Sequence, residues 1–494
     1  MPKHTTQHSP ESILRRTEQL LHAEKSIAAR KTLESLRPNA KASAQEFFYA
    51  GDLARRLDRF SLAKAFYHQA LCKEPAHALG LLASAEVCER LNLHEEAYQQ
   101  LERINTPLPP AAQAKAATLK ADLLSKLQQA DKAVDLLTDL FQSGSLPLTS
   151  QIEAQHTLFT AKDKLKDYRG AYAALTESKR LNSLFVGEAK ITEMQQSKLL
   201  SYQRLQACYH AWDPNLLNQW KEHSCHHREI HYLIGHPRSG TTLLENILDA
   251  NTGLVSSDER VSFQTQIIDP CMAKFRPQGS SEEENVQAFL QYIHSLPKTE
   301  CKKLAQHYYN DLKQQLGTPL QQKIILDKNP AITDGALLAL RTHPEAKFLF
   351  ALRDPRSVVW SAFTLPMVGV SWVGSFWTDL NKTAEAFHHF TKVWHTLYQK
   401  LPDKQRLITR YEDTVSNTVT AGRTATEFLS LDWQDQQERF FERAGEKHVH
   451  SPTYADVAKP IYTSAIDKWR NYAEWMEPAL ETLQPICQEL QYTD

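Results

Sequence analysis

An α/β fold is expected for the second half of this chain and an all-α helical array for the first, on three observations. The N-terminal region is rich in Ala, Leu, Gln, Lys and Glu, poor in glycine, and patterned at helical period. From about residue 226, short apolar runs alternate with helical segments, the pattern of a parallel sheet covered by helices. Between Ile230 and Asn251 an apolar strand enters a tight turn and then an amphipathic helix, the layout of a phosphate-binding loop. A chain of 494 residues exceeds one ordinary core. The organisation expected is a helical cap over 1–40, helical repeats over 41–180, a helical linker over 181–225 and a parallel-sheet domain over 226–494.

The helical half repeats. Ala63, Ala97, Ala133 and Ala171 are each followed four residues later by a bulky residue (Tyr67, Leu101, Leu137, Leu175) and seven later by Ala70, Ile104, Leu140 or Ser178. The spacings of 34, 36 and 38 residues suit a two-helix unit, in which a small residue lets paired helices approach and the bulky one fills the groove. With Gly51 and Pro75 in the first unit, this half resembles tetratricopeptide repeats, which implies a concave face able to grip a protein partner. A plain helical bundle is the alternative.

The apolar runs of the second half are Ile230–Ile234, Gly253–Val255, Lys323–Leu326, Phe348–Leu352 and Arg406–Ile408. Each is followed closely by a residue able to bind or catalyse: Arg238, Glu259, Lys328, Arg353 and Tyr411. In an open parallel sheet the carboxyl ends of the strands line the ligand crevice, so these five converge. In the first turn, unpaired backbone N–H groups and the hydroxyls of Ser239, Thr241 and Thr242 can surround an anion, with Gly235 and Gly240 allowing close approach. An ATP- or GTP-splitting loop needs Gly-Lys-Ser/Thr. Here Thr241 follows Gly240, and the cation is Arg238.

The string P-R-S-G-T-T-L, Pro237 to Leu243, resembles the 5′-phosphosulfate loop of the sulfotransferase family. The resemblance implies 3′-phosphoadenosine 5′-phosphosulfate (PAPS) as donor, adenosine 3′,5′-bisphosphate as product, and an acceptor hydroxyl. R-D-P-R-S-V-V-W-S resembles the family's 3′-phosphate segment, which assigns Arg353 and Ser361 to that phosphate. The stretch Ser451 to Tyr472 is similar to the C-terminal segment of tyrosylprotein sulfotransferases and of bacterial tetratricopeptide-containing sulfotransferases. By that similarity Lys459 and Lys468 hold cofactor phosphates and Thr453 stands at a serine position. Asp258-Glu259 match the acidic pair that supplies the catalytic base, with Glu259 favoured by registration and His236 and His343 as alternatives. Lys328 lies in a D-K-x-P match, where it donates to the bridging oxygen as charge collects there. Arg238 and Thr453 share the developing charge, and Tyr411, in R-Y-E-D, is a cofactor contact.

A formal net charge of −1 argues against bulk attraction to nucleic acid or anionic membrane. Without a long apolar span or an apolar leader, the sequence reads as soluble and cytoplasmic. Seven scattered cysteines suit reduced thiols. His223, Cys225, His226, His227 and His231 cluster, but their spacing matches no metal site and the segment reads as a polar linker, so no metal is expected. The acceptor is a tyrosine of a protein or peptide, a carbohydrate, or a small-molecule hydroxyl. Two other classes compete: a nucleotide-dependent kinase or hydrolase, and a repeat scaffold with a degenerate nucleotide-binding domain.

Overall fold

The structure, a computed structural model, describes residues 9–23, 25–38, 41–142, 144, 146–222, 229–277, 281–317, 320, 323–444 and 466–492. The chain divides into two compact units, Met1–Val186 with Pro366–Gly369, and Gly187–Leu365 with Val370–Asp494.

The first unit is a helical array: α1 (Pro10–His22), α2 (Ser26–Glu34), α3 (Ala44–Arg56), α4 (Phe60–Lys73), α5 (Ala78–Arg90), α6 (His94–Glu102), α7 (Pro110–Lys126), α8 (Ala130–Gln142), α9 (Leu148–Lys164) and α10 (Tyr168–Val186). A capping box of Ser43 and Glu46 starts α3. Four helix pairs close in the same way. Asp58, Asn92, Gln128 and Lys166 take positive φ of 57°, 58°, 63° and 63°, and the next N–H bonds the carbonyl five residues back (Arg59 to Ala54, Leu93 to Cys88, Gln129 to Leu124, Asp167 to Lys162). Each left-handed residue precedes a repeat alanine by five positions, and Ala63, Ala97, Ala133 and Ala171 are all fully buried. Gly51 has a packing reason, because a Cβ there would lie 2.5 Å from the Tyr67 ring. Ser178, a polar residue at an apolar repeat position, is buried with its hydroxyl donated to the Ile152 carbonyl at 2.8 Å.

The second unit holds a five-stranded parallel sheet of β1 (Ile230–Gly235), β2 (Leu254–Ser256), β3 (Ile324–Lys328), β4 (Phe348–Leu352) and β5 (Arg406–Arg410), ordered β2-β3-β1-β4-β5. All four pairings are parallel, with Leu233 opposite Lys328 and Gly235 opposite Ala351. β1 is central, so the strand order reverses about it and the crevice opens at its carboxyl end. Its helices are α11 (Glu188–Ala211), α12 (Leu216–Glu222), α13 (Thr241–Asp249), α14 (Asp269–Lys274), α15 (Glu282–Ser295), α16 (Lys298–Leu316), α17 (Ala336–Thr342), α18 (Pro355–Phe363), α19 (Leu380–Lys400), α20 (Tyr411–Ser416), α21 (Thr418–Phe428), α22 (Phe440–Ala444) and α23 (Ala473–Glu489).

On one sheet face Leu233, Leu326 and Leu349 pack with Leu244 and Leu248 of α13 and Ala425 of α21. On the other, Tyr232 meets Phe263, which meets Tyr308 of α16, and Phe350 meets Trp394 of α19. The helix after the first turn is amphipathic, as its sequence reads, and all nine residues of α13 are buried because neighbours cover its polar side as well.

Candidate active site

The turn after β1 is built for an anion. Ser239 N–H bonds the His236 carbonyl at 3.0 Å, Arg238 and Gly240 take φ of 78° and 93°, and α13 begins at Thr241 with its first N–H groups lacking helical partners. A Cβ at Gly240 would lie 2.6 Å from the Tyr411 ring, and one at Gly235 would lie 2.7 Å from the Ala351 carbonyl. Thr241 and Thr242 are buried. The buried Ser239 hydroxyl has no hydrogen-bond partner among the described residues. An orphaned hydroxyl beside the N-terminus of α13 and two glycines that leave no room for a Cβ fits the 5′ end of a phosphosulfate donor.

The strand-end segments meet at this turn. Arg353, mostly buried, lies over the Tyr411 ring at 4.4 Å and donates from Nη1 to the Arg238 carbonyl at 3.3 Å. Arg238 Nε donates to Ser361 Oγ at 2.9 Å. The two arginines therefore lie beside each other, and the Arg238 side chain reaches the segment that carries Arg353 and Ser361. Glu412 joins the assembly by accepting from Asp354 N–H and from the Tyr492 hydroxyl, each at 2.9 Å. Lys468 is exposed at the start of a 3-10 turn packed on α18, where Tyr472 stacks on Trp360 at 4.1 Å and Arg356 lies over Trp469 at 4.7 Å. Thr453 and Lys459 lie outside the described residues.

On the other side of β1, Lys328 is completely buried and shared by two carboxylates. Its Nζ lies 2.6 Å from Glu259 Oε1 and 3.0 Å from Glu245 Oε2. Asp258 and Glu259 both adopt left-handed backbone, φ 50° and 57°. That strain, about 1–3 kcal/mol per residue, is held by Glu259 N–H on the Lys328 carbonyl at 3.0 Å and Asp258 N–H on Glu245 Oε1 at 3.2 Å. Burial works to lower the Lys328 pKa, but the Glu245 and Glu259 charges outweigh it and raise the value, so the ammonium persists at neutral pH. Burial pushes the Glu245 carboxyl up, against the pull of Lys328. Beneath, Asp327 accepts from the Ser257 and Tyr308 hydroxyls, and burial pushes its carboxyl up to about 6.

Sequence reasoning missed Glu245 and Asp327. Asp327 had a readable signal, a carboxylate in the buried strand that ends on Lys328, whereas Glu245, within the helix α13, had none. The alternative bases differ. His343 Nδ1 is 3.2 Å from the Tyr232 hydroxyl, and its ring packs against Tyr232 and Tyr308 in the core. His236 lies in the turn, donating from Nδ1 to the Pro237 carbonyl at 2.6 Å, its pKa lowered to about 4 by burial. Of the His/Cys cluster, His231 accepts from Lys347 N–H at 3.1 Å and the other four lie outside the described residues. Among the described residues there is no metal-ligand cluster, and no helix is long and apolar enough to cross a membrane.

The C-terminal part of the chain matches the sulfotransferase family over residues 232–435. It is distantly related to tyrosine sulfotransferases. The protein-tyrosine sulfotransferase of Drosophila melanogaster is 25% identical over 244 residues, covering 48% of this chain and 46% of that protein. An uncharacterized protein of Aquifex aeolicus (strain VF5) is 23% identical over 427 residues, 82% of this chain and 52% of that protein. The chain thus spans about half the length of these two curated relatives. Among solved structures, the sulfotransferase domain of the Synechococcus PCC 7002 olefin synthase is similar at 21% identity and a TM-score of 0.37, covering 53% of this chain and 97% of that one.

Proposed function

We propose that this chain transfers a sulfuryl group from PAPS to an acceptor hydroxyl, with Glu259 as general base. The observation that carries the reading is the buried Lys328 ammonium held against Glu259 at the strand end next to the anion-binding turn. When bound, the donor supplies a sulfuryl group on a 5′-phosphate leaving group.

Ser239, Gly240, Thr241 and Thr242 hold the 5′ end through N–H groups and hydroxyls, while Arg353 and Ser361 take the 3′-phosphate. Arg238, bonded to Ser361, links the two ends, and Tyr411 supports Arg353 from below. Glu259 removes the acceptor proton as the new oxygen–sulfur bond forms and the sulfur–oxygen bond to the 5′-phosphate breaks, that electron pair staying on the phosphate oxygen. Lys328 donates to this leaving oxygen. Because it also binds Glu259, its turn toward the donor frees the carboxylate to act as base. By resemblance Thr453, Lys459 and Lys468 complete the charge balance, and no metal is needed for it.

The acceptor favoured is tyrosine of a protein or peptide, with the helical array acting as tetratricopeptide repeats that grip the acceptor chain in the cytoplasm. Support comes from the relatedness to tyrosine sulfotransferases and from the four identical helix-pair turns. The test is a thermal shift with adenosine 3′,5′-bisphosphate against ATP plus magnesium, followed by labelled-donor transfer to tyrosine peptides and to sugars. The bisphosphate alone should stabilise the chain. Stabilisation by ATP alone overturns the reading, stabilisation by neither leaves a scaffold, and label on sugars alone moves the acceptor to carbohydrate.

A further inference from the structure

The segment after α23 turns back to the edge strand β5 and meets the residues assigned to the 3′-phosphate. α23 packs on α18 and α19 and buries Met476, Ala479, Leu483 and Ile486, a helical spacing. Gln491 then takes a left-handed φ of 60°, and Tyr492 N–H bonds the Cys487 carbonyl at 2.7 Å, which closes the helix and reverses the chain. The reversal delivers Tyr492 to the end of β5, where Arg410 donates to the Leu490 carbonyl at 2.8 Å and lies over the Tyr492 ring at 4.7 Å. We propose that Tyr492, which lies beyond the residues matching the family, is a positioning residue for the donor's 3′-phosphate, acting through Glu412 on Arg353. The proposal rests on the sulfuryl-transfer reading above.

The connection runs through two neighbouring strand ends. β4 and β5 pair in parallel with Leu352 opposite Arg410, which brings Arg353 and Asp354 beside Tyr411 and Glu412. Each residue of one pair holds one of the other. Arg353 lies over the Tyr411 ring, and Asp354 N–H donates to Glu412 Oε1 at 2.9 Å. Tyr492 takes the second carboxylate oxygen, donating its hydroxyl to Glu412 Oε2 at 2.9 Å. With both oxygens engaged, Glu412 cannot rotate without breaking a bond, so the backbone that carries Arg353 and the ring beneath that arginine keep their register.

Charge explains why the hydroxyl matters. Glu412 is an acid one residue from Tyr411, close to an arginine that has to meet a phosphate. An unheld carboxylate is drawn to a guanidinium, where it competes with the phosphate for the same donors. Tying Glu412 Oε2 to the segment after α23 removes that competitor. The phenol remains a donor at neutral pH, because burial and the Glu412 charge raise its pKa and the nearby Arg410 charge does not outweigh them.

The test is isothermal titration of the full chain with adenosine 3′,5′-bisphosphate and with adenosine 5′-phosphosulfate, which has the 5′ end but no 3′-phosphate. Tyr492→Phe keeps the ring under Arg410 and removes one donor. Glu412→Gln keeps an acceptor for Asp354 N–H and removes the charged acceptor for Tyr492. Each variant should bind the bisphosphate about tenfold more weakly, the usual worth of a hydrogen bond to a charged group, and the double variant should be no worse than either alone. The phosphosulfate should bind all three within about twofold of wild type, because its 5′ end is held elsewhere. Unchanged bisphosphate affinity in Tyr492→Phe, additive losses in the double variant, or an equal loss for both ligands overturns the proposal while leaving the transfer reading intact. Failure of wild type to bind the bisphosphate removes the transfer reading and, with it, the proposal.

Discussion

Lys328 has no exposure and two carboxylate partners of different kinds, Glu245 deep in the fold and Glu259 on a strained, partly exposed turn. The asymmetry separates two substitutions. Glu259→Gln leaves the ammonium paired with Glu245, so folding and adenosine 3′,5′-bisphosphate binding should survive while kcat falls by about 10²–10⁴, the usual worth of a general base. Lys328→Met strands Glu245, and breaking a buried pair costs about 3–5 kcal/mol, so denaturant melts should show a large loss of stability. Normal turnover in Glu259→Gln would reassign the base, with His236 next in line. Lys328 and Glu259 were legible because each ends an apolar run, where a polar residue has to face the crevice. Glu245 was not, since a carboxylate within a helix reads as solvent-facing until the neighbours that cover α13 are known.

The strands and the helical pairs were legible for different reasons. All five apolar runs begin on or within one residue of the observed strand starts, because buried parallel strands leave no polar alternation to blur them. Gly253–Val255 is the short edge run, and its strand, β2, has only three residues. In the array, the alanine register marks where α4, α6, α8 and α10 approach their neighbours, but of the left-handed closing residues only Asp58 and Asn92 are turn-favouring types, while Gln128 and Lys166 announce no turn. The register makes its own prediction. Ala133 is fully buried within α8, so Ala133→Leu should overpack the pair and cost about 1–3 kcal/mol, read as a lower denaturation midpoint, with bisphosphate binding unaffected. A neutral result would mean that the alanine spacing marks composition rather than close helix approach.

The whole molecule combines two kinds of core. Helix pairs closed by short turns build one from contacts near in sequence, whereas the parallel sheet draws together residues as distant as Gly235 and Ala351. Cap, repeats and linker look alike in composition, so sequence alone did not show that α11 is part of the second unit, where it packs along α15 and α19. Every described residue assigned to the donor also falls in the second unit. Separate cores predict unfolding that is not two-state. Calorimetry should resolve two transitions, and adenosine 3′,5′-bisphosphate at 100 times its Kd should stabilise one of them by about 2.7 kcal/mol, a rise of several degrees, and leave the other in place. The Ala133→Leu variant should lower the transition that the ligand does not move. If one transition moves as a whole under both perturbations, the units fold as a single cooperative body and the division into independent cores is wrong.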